Sequence, residues 1–161
     1  MVQDISSMSA PTFKNENERI TLYSGSFAGL VSPVKVNVPL IVADIDIKKG
    51  YTLSREIPGD NTTFIYVIAG DVQVGDKNVG TGEVGGLNVS EKSDLDEIKI
   101  KGLSEYSRFV LYSGKPTKDN IVSYGPFIAD TNEQIVELYK KYKNGELPHI
   151  STVNESQKVV Y

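Results

Sequence analysis

The chain has 161 residues, 39% hydrophobic and 24% charged, which suits one domain with a core of its own. It contains no cysteine, which excludes disulfides, thiolate metal sites and cysteine nucleophiles. With 17 basic and 21 acidic residues the net charge is -4, and an acidic chain gains little from the counterion release that drives sequence-independent nucleic-acid binding.

Residues 1–18 are polar, contain Pro11 and few large apolar groups, and read as a linker-like arm. This start lacks the cationic and apolar regions of a signal peptide, and no apolar run approaches the roughly 20 residues that span a membrane. A cytoplasmic location is the expectation. The N-x-S/T triplets at Asn61, Asn88 and Asn154 then read as chance matches.

From Arg19 to Ser24 the alternation R-I-T-L-Y-S predicts a first strand. Gly25 to Pro33 reads as loop, and Val34 to Val38 alternates weakly before Pro39. Leu40 to Ile47 predicts a strong strand with Ile45 and Ile47 on one face and Asp44 and Asp46 on the other. Tyr51 to Ile57 is a further extended piece, ended by the turn signal Pro58-Gly59-Asp60-Asn61. Thr63 to Ala69 is β-branched and aromatic throughout and predicts a strand buried on both faces. Val72 to Val74, Leu87 to Val89, Leu95 to Ile100, Tyr106 to Tyr112 and Ile121 to Ser123 complete the predicted strands, with Gly75 to Asn78 as a turn.

One sustained amphipathic helix follows. Thr131 is placed to cap it, Gln134 completes a capping box, and Ile135, Leu138, Tyr139 and Tyr142 recur as one apolar stripe. Asn144-Gly145 ends the helix and Pro148 blocks its continuation. Lys140, Lys141 and Lys143 read as cations facing the helix C-terminal dipole rather than as a nucleic-acid patch. The expected organisation is an arm at 1–18, a domain at 19–147 with its helix at 131–144, and a flexible tail at 148–161. Many short strands with close turns predict an all-β antiparallel sandwich or barrel with one C-terminal α-helix.

Several segments resemble the C-terminal half of the pirin family, proteins of two cupin domains in which the other half carries iron. They are Val31-Ser32-Pro33-Val34, then Ala43 to Gly50, then Thr63 to Val72, then Ser113-Gly114-Lys115-Pro116. Tyr124-Gly125-Pro126-Phe127 and the helix start Thr131-Asn132-Glu133-Gln134-Ile135 close the series and are its most specific part. The resemblance runs in order from about Ile20 to Gly145 and implies a cupin jelly-roll fold. Val2-Gln3-Asp4-Ile5 also resembles the inter-domain linker, implying that the chain starts where the second cupin starts.

Metal cupins hold their metal with an H-x-H pair and further ligands near the next hairpin. Aligned on the following strand, the H-x-H positions fall on Glu56 and Pro58, and proline has no ligating side chain. The second ligand region, Gly82 to Val89, offers only Glu83. His149 is the sole histidine and reads as a solvated tail residue. No metal and no other cofactor is therefore expected.

Asp44 and Asp46 could face a hard cation, but a solvent-facing strand surface beside Lys48 and Lys49 is the preferred reading. Asp94, Asp96 and Glu97 read as loop and strand-edge charge. Gly80 to Gly85 matches G-x-G-x-x-G, yet no helical pattern follows, so it reads as turns between strands. No G-x-S-x-G elbow occurs. Tyr51, Arg55, Glu56, Tyr66 and Tyr112 could line a barrel mouth and bind a small organic molecule.

The leading expectation is a metal-free, non-catalytic cupin acting as a structural or interaction module. It would form a homodimer or bind a separate protein in place of the missing cupin half, without membrane or nucleic-acid partners. The alternatives are a metal-dependent dioxygenase of the pirin type, acting on flavonols such as quercetin, and small-ligand binding at the mouth.

Overall fold

The computed structural model describes residues 5–87, 95–148 and 152. The chain divides into two compact units, a β-sandwich body at residues 3–116 and a C-terminal unit from residue 117 onward. Elements are numbered along the chain.

Two antiparallel sheets build the body. The larger runs β1 (Thr12–Lys14), β2 (Glu18–Ser24), β5 (Leu40–Lys48), β12 (Tyr106–Gly114), β7 (Thr62–Ala69) and β10 (Val84–Leu87). The smaller runs β6 (Thr52–Pro58), β11 (Leu95–Gly102), β8 (Val72–Val74) and β9 (Lys77–Val79). Strand side chains alternate between faces, so each sheet commits one set to the space between the two. Ile20, Leu22, Ala43, Ile45, Ile65, Val67, Phe109 and Leu111 from the larger sheet meet Leu53, Val72, Ile98 and Ile100 from the smaller, all buried in one core. The sheet crossings leave little room. At Gly70, with φ +70°, an added Cβ would stand 2.3 Å from the Tyr106 carbonyl oxygen.

Five sequence expectations change here. Within the expected arm, Thr12–Lys14 adds β1 to the sheet edge, with Thr12 opposite Thr21 and Ala10 buried. Thr63 to Ala69 is buried on one face only. Ile65 and Val67 point into the core, while Phe64, Tyr66 and Ile68 stand on an outer face that no second sheet covers. Lys77 and Asn78, expected as part of a turn, pair with Val74 and Gln73 as the start of a strand, while the weakly alternating Val34 to Val38 stays loop beside Ser32, whose hydroxyl accepts from the Val34 amide and donates to the Tyr23 carbonyl. Inside the expected 25–33 loop, β3 (Ser26–Phe27) and β4 (Leu30–Val31) pair across Ala28 and Gly29, both at positive φ as a tight hairpin turn requires.

In the C-terminal unit, β13 (Val122–Tyr124) and β14 (Phe127–Ala129) form a hairpin, followed by α1 (Asn132–Lys143). The capping box is complete: the Thr131 hydroxyl accepts from the Gln134 amide, and the Gln134 side chain accepts from the Thr131 amide. Ile135 is buried, and Tyr139 and Tyr142 pack edge-on against Tyr124 and Phe127 of the hairpin. Lys140, Lys141 and Lys143 occupy the last turn, where cations oppose the dipole. His149, the tail from 153 and the sequons at Asn88 and Asn154 lie outside the described residues.

Candidate functional site

Between β6, β8 and β11 on one side and β7 and β10 on the other lies a solvent-open cavity of about 490 Å³. Ile57, Val74, Leu87 and Ile98 give it apolar walls. Asn61 and Thr63 give it a polar floor, because each donates a side-chain hydrogen bond to the buried Ser113 hydroxyl, at 3.0 and 2.8 Å. At the rim, Lys99 is bound to Glu97 at 2.8 Å, and Glu97 also accepts from Ser54. Lys99 first, and Ser54 second, hold the Glu97 carboxyl below its ordinary range.

Asp96 is different. It shares the inward register of β11 with Ile98 and Ile100 and is half-buried, and its carboxylate makes no hydrogen bond or ion pair with a described residue. Sequence reasoning grouped it with strand-edge charge. The alternation Asp96, Ile98, Ile100 was the signal that it faces inward, although only the sheet pairing shows that the strand reaches the cavity.

The five residues expected at one mouth occupy three places. Tyr51 and Arg55 come together at Glu18. Glu18 starts β2 on the inward face, and the Arg55 guanidinium reaches across from β6 to donate to its carboxylate. Asn15 donates to the same carboxylate at 3.1 Å, and Arg55 lies 6.0 Å from the Phe13 ring centre. Burial first, and the Glu18 carboxylate second, push the Tyr51 phenol above its ordinary value, with Arg55 pulling the other way. Glu56 is exposed on the far side of β6, opposite Glu97 of β11. Tyr66 and Tyr112 stand on the outer face of the larger sheet, where Tyr112 stacks on Phe64 at 4.9 Å. None of Tyr51, Arg55, Glu56, Tyr66 or Tyr112 lines the cavity.

Asp44 and Asp46 share one face as expected, yet that face is closed over them and both are buried. Arg108 of the neighbouring strand binds Asp44 through two nitrogens, at 2.9 and 2.5 Å, and Arg19 binds Asp46 at 2.7 Å. The Tyr106 hydroxyl donates to Asp46 as well. Paired in this way the two carboxylates are committed to guanidinium groups rather than open to solvent or a cation. The 80–85 segment enters β10 through a turn, and its Glu83 carboxylate accepts from the Gly80 amide. A dinucleotide would need a helix at that point.

The residues do not fit the metal centre of a metal cupin. Pro58 lines the cavity without a donor atom, and Glu56 points away from it. The floor offers neutral hydroxyl and amide groups, which are weak ligands for a first-row metal. Among the described residues no group of three or more histidine or carboxylate side chains could hold an ion.

The Pirin C-terminal cupin domain family model matches residues 42–148. The chain belongs to the pirin family. It is 28% identical to Pirin of Rattus norvegicus and 27% identical to Pirin-1 of Arabidopsis thaliana, each over 145 residues that make up 89% of this chain and 50% of the relative. It thus spans about half the length of these pirins. The crystal structure of quercetin 2,3-dioxygenase from Acinetobacter baumannii superposes with a TM-score of 0.78 at 24% identity, over 92% of this chain and 51% of that one. That likeness carries the fold, a pirin-type cupin, as the sequence led one to expect.

Proposed function

We propose that this pirin-type cupin is a metal-free, non-catalytic interaction module, and that the outer face of its larger sheet docks a second copy of the chain. The observation that carries this reading is the apolar strip across four neighbouring strands of that face. Leu40, Tyr112, Phe64, Tyr66, Ile68 and Val84 form the strip, and all but the half-buried Tyr112 are exposed. Cross-strand register makes it continuous, with Leu40 opposite Gly114, Tyr112 opposite Phe64 and Tyr66 opposite Val84. Contiguous apolar surface of this kind is characteristic of protein contacts. A two-fold pairing covers it with the same surface on both copies.

The dioxygenase alternative needs a redox metal. Pro58 and Glu56 at the ligand positions give it no support.

Sedimentation at micromolar concentration tests the reading. The chain is expected to run as a dimer, and Tyr66→Lys, which places a charge in the strip without touching the core, is expected to run as a folded monomer. A parent chain that sediments as a monomer overturns the docking.

A further inference from the structure

The cavity between the two sheets lies apart from the proposed docking face and is lined by different residues. We propose that it is a binding site for a small organic cation, an ammonium group carried on an apolar body, with Asp96 as its counter-charge. Three observations converge on that chemistry. The first is size: about 490 Å³ falls within the roughly 300–1,000 Å³ typical of small-molecule sites.

The second is the sense of the polar groups. One of the two Asn61 amide hydrogens and the Thr63 hydroxyl hydrogen are given to Ser113. That leaves the Asn61 carbonyl oxygen, the Thr63 oxygen and the Asp96 carboxylate as acceptors, against the second Asn61 hydrogen on the floor and the exposed Lys77 at the rim. On the half-buried part of the lining acceptors predominate, and a ligand that donates complements them.

The third is charge. Of the five charged residues among the described lining, Lys99 and Glu97 neutralise each other, and Asp76, Lys77 and Asp96 leave one net negative charge. Lys77 pairs with Val74 on the inward face as well but is exposed, whereas Asp96 is half-buried and its carboxylate lacks a partner among the described residues. A half-buried carboxylate without a protein partner is available to a ligand's cationic donor, and its partial withdrawal from water strengthens that pairing. Ile57, Val74 and Leu87 then take the apolar body.

The test is titration of the whole chain with phenethylammonium, 3-phenylpropionate and 2-phenylethanol, which carry a cation, an anion and a neutral hydroxyl on the same phenethyl body. Binding is read by calorimetry and by amide shifts. The cation is expected to bind at least tenfold tighter than either other probe, with shifts centred on Val74 and Asp96. Asp96→Asn is expected to reduce that binding to the level of the neutral probe. Leu87→Phe, which narrows the same cavity without altering a charge, is expected to weaken the cation as well. Equal binding of all three probes, a preference for the carboxylate, no binding, or a cation affinity unchanged in both variants overturns the proposal. Each readout is independent of whether the chain dimerises.

Discussion

Glu18 and Arg55 carry opposite charges across the space between two sheets, where desolvation penalises each of them alone. The Glu18 side chain is 2% exposed and that of Arg55 is 23% exposed. Replacing Arg55 by methionine keeps much of the volume and leaves a buried carboxylate without its cation, so a loss of about 3–5 kcal/mol is expected in chemical denaturation. Replacing Glu18 by leucine in the same chain removes the orphaned charge and is expected to restore most of that loss. If the single variant costs no more than the double one, the pair does not hold the sheets together.

Tyr106 makes a prediction of opposite character, one that depends on pH. Burial first, and the hydrogen bond to Asp46 second, raise its phenol from 10 to about 12. The folded phenol therefore keeps its proton after an unfolded one has lost it. Its hydrogen bond contributes fully below pH 10, and that contribution is lost as pH rises through about 12. Tyr106→Phe is expected to be less stable than the parent below pH 10, with the gap closing toward pH 12. A gap that stays constant with pH would show that the phenol does not titrate late.

Among the elements, legibility followed how local the deciding interaction was. The helix was readable end to end, because Thr131, Gln134 and Gly145 act within one or two turns of the residues they cap. Strands β2, β5, β6, β11 and β12 were readable from alternation alone, to within a residue or two at each end. The two- and three-residue strands β1, β3, β4 and β9 were not, since their ladders are imposed by neighbours rather than by a pattern of their own. In β7 the run F-I-Y-V-I-A after Thr63 is apolar or aromatic at every position, so nothing in it says which parity faces inward. That ambiguity is why Tyr66 was assigned to a mouth and stands on the outer face. Asp44 and Asp46 were placed together correctly, but the groups that bury them, Arg108 and Tyr106, arrive from some sixty residues away.

At the scale of the whole molecule, a metal centre is a property of several strands at once, since its ligands must converge from separate elements on one point. Here the cupin framework is kept and the converging atoms are not. Pro58 contributes no donor, Glu56 faces away, and Asn61 and Thr63 both donate to Ser113. Glu97 is tied to Lys99 and Ser54, and the sequence contains a single histidine, His149. Ferrous iron binds tightly where imidazole and carboxylate ligands fix its geometry, and an isolated carboxylate such as Asp96 gives only a weak, freely exchanging contact. The chain loaded with ferrous iron under anaerobic conditions and then desalted is accordingly expected to retain well under ~0.1 iron per chain by elemental analysis, with unchanged thermal stability. Retention close to one iron per chain, with a raised unfolding temperature, would mean that the rim carboxylates and His149 assemble a site, and the metal-free reading would fall with it.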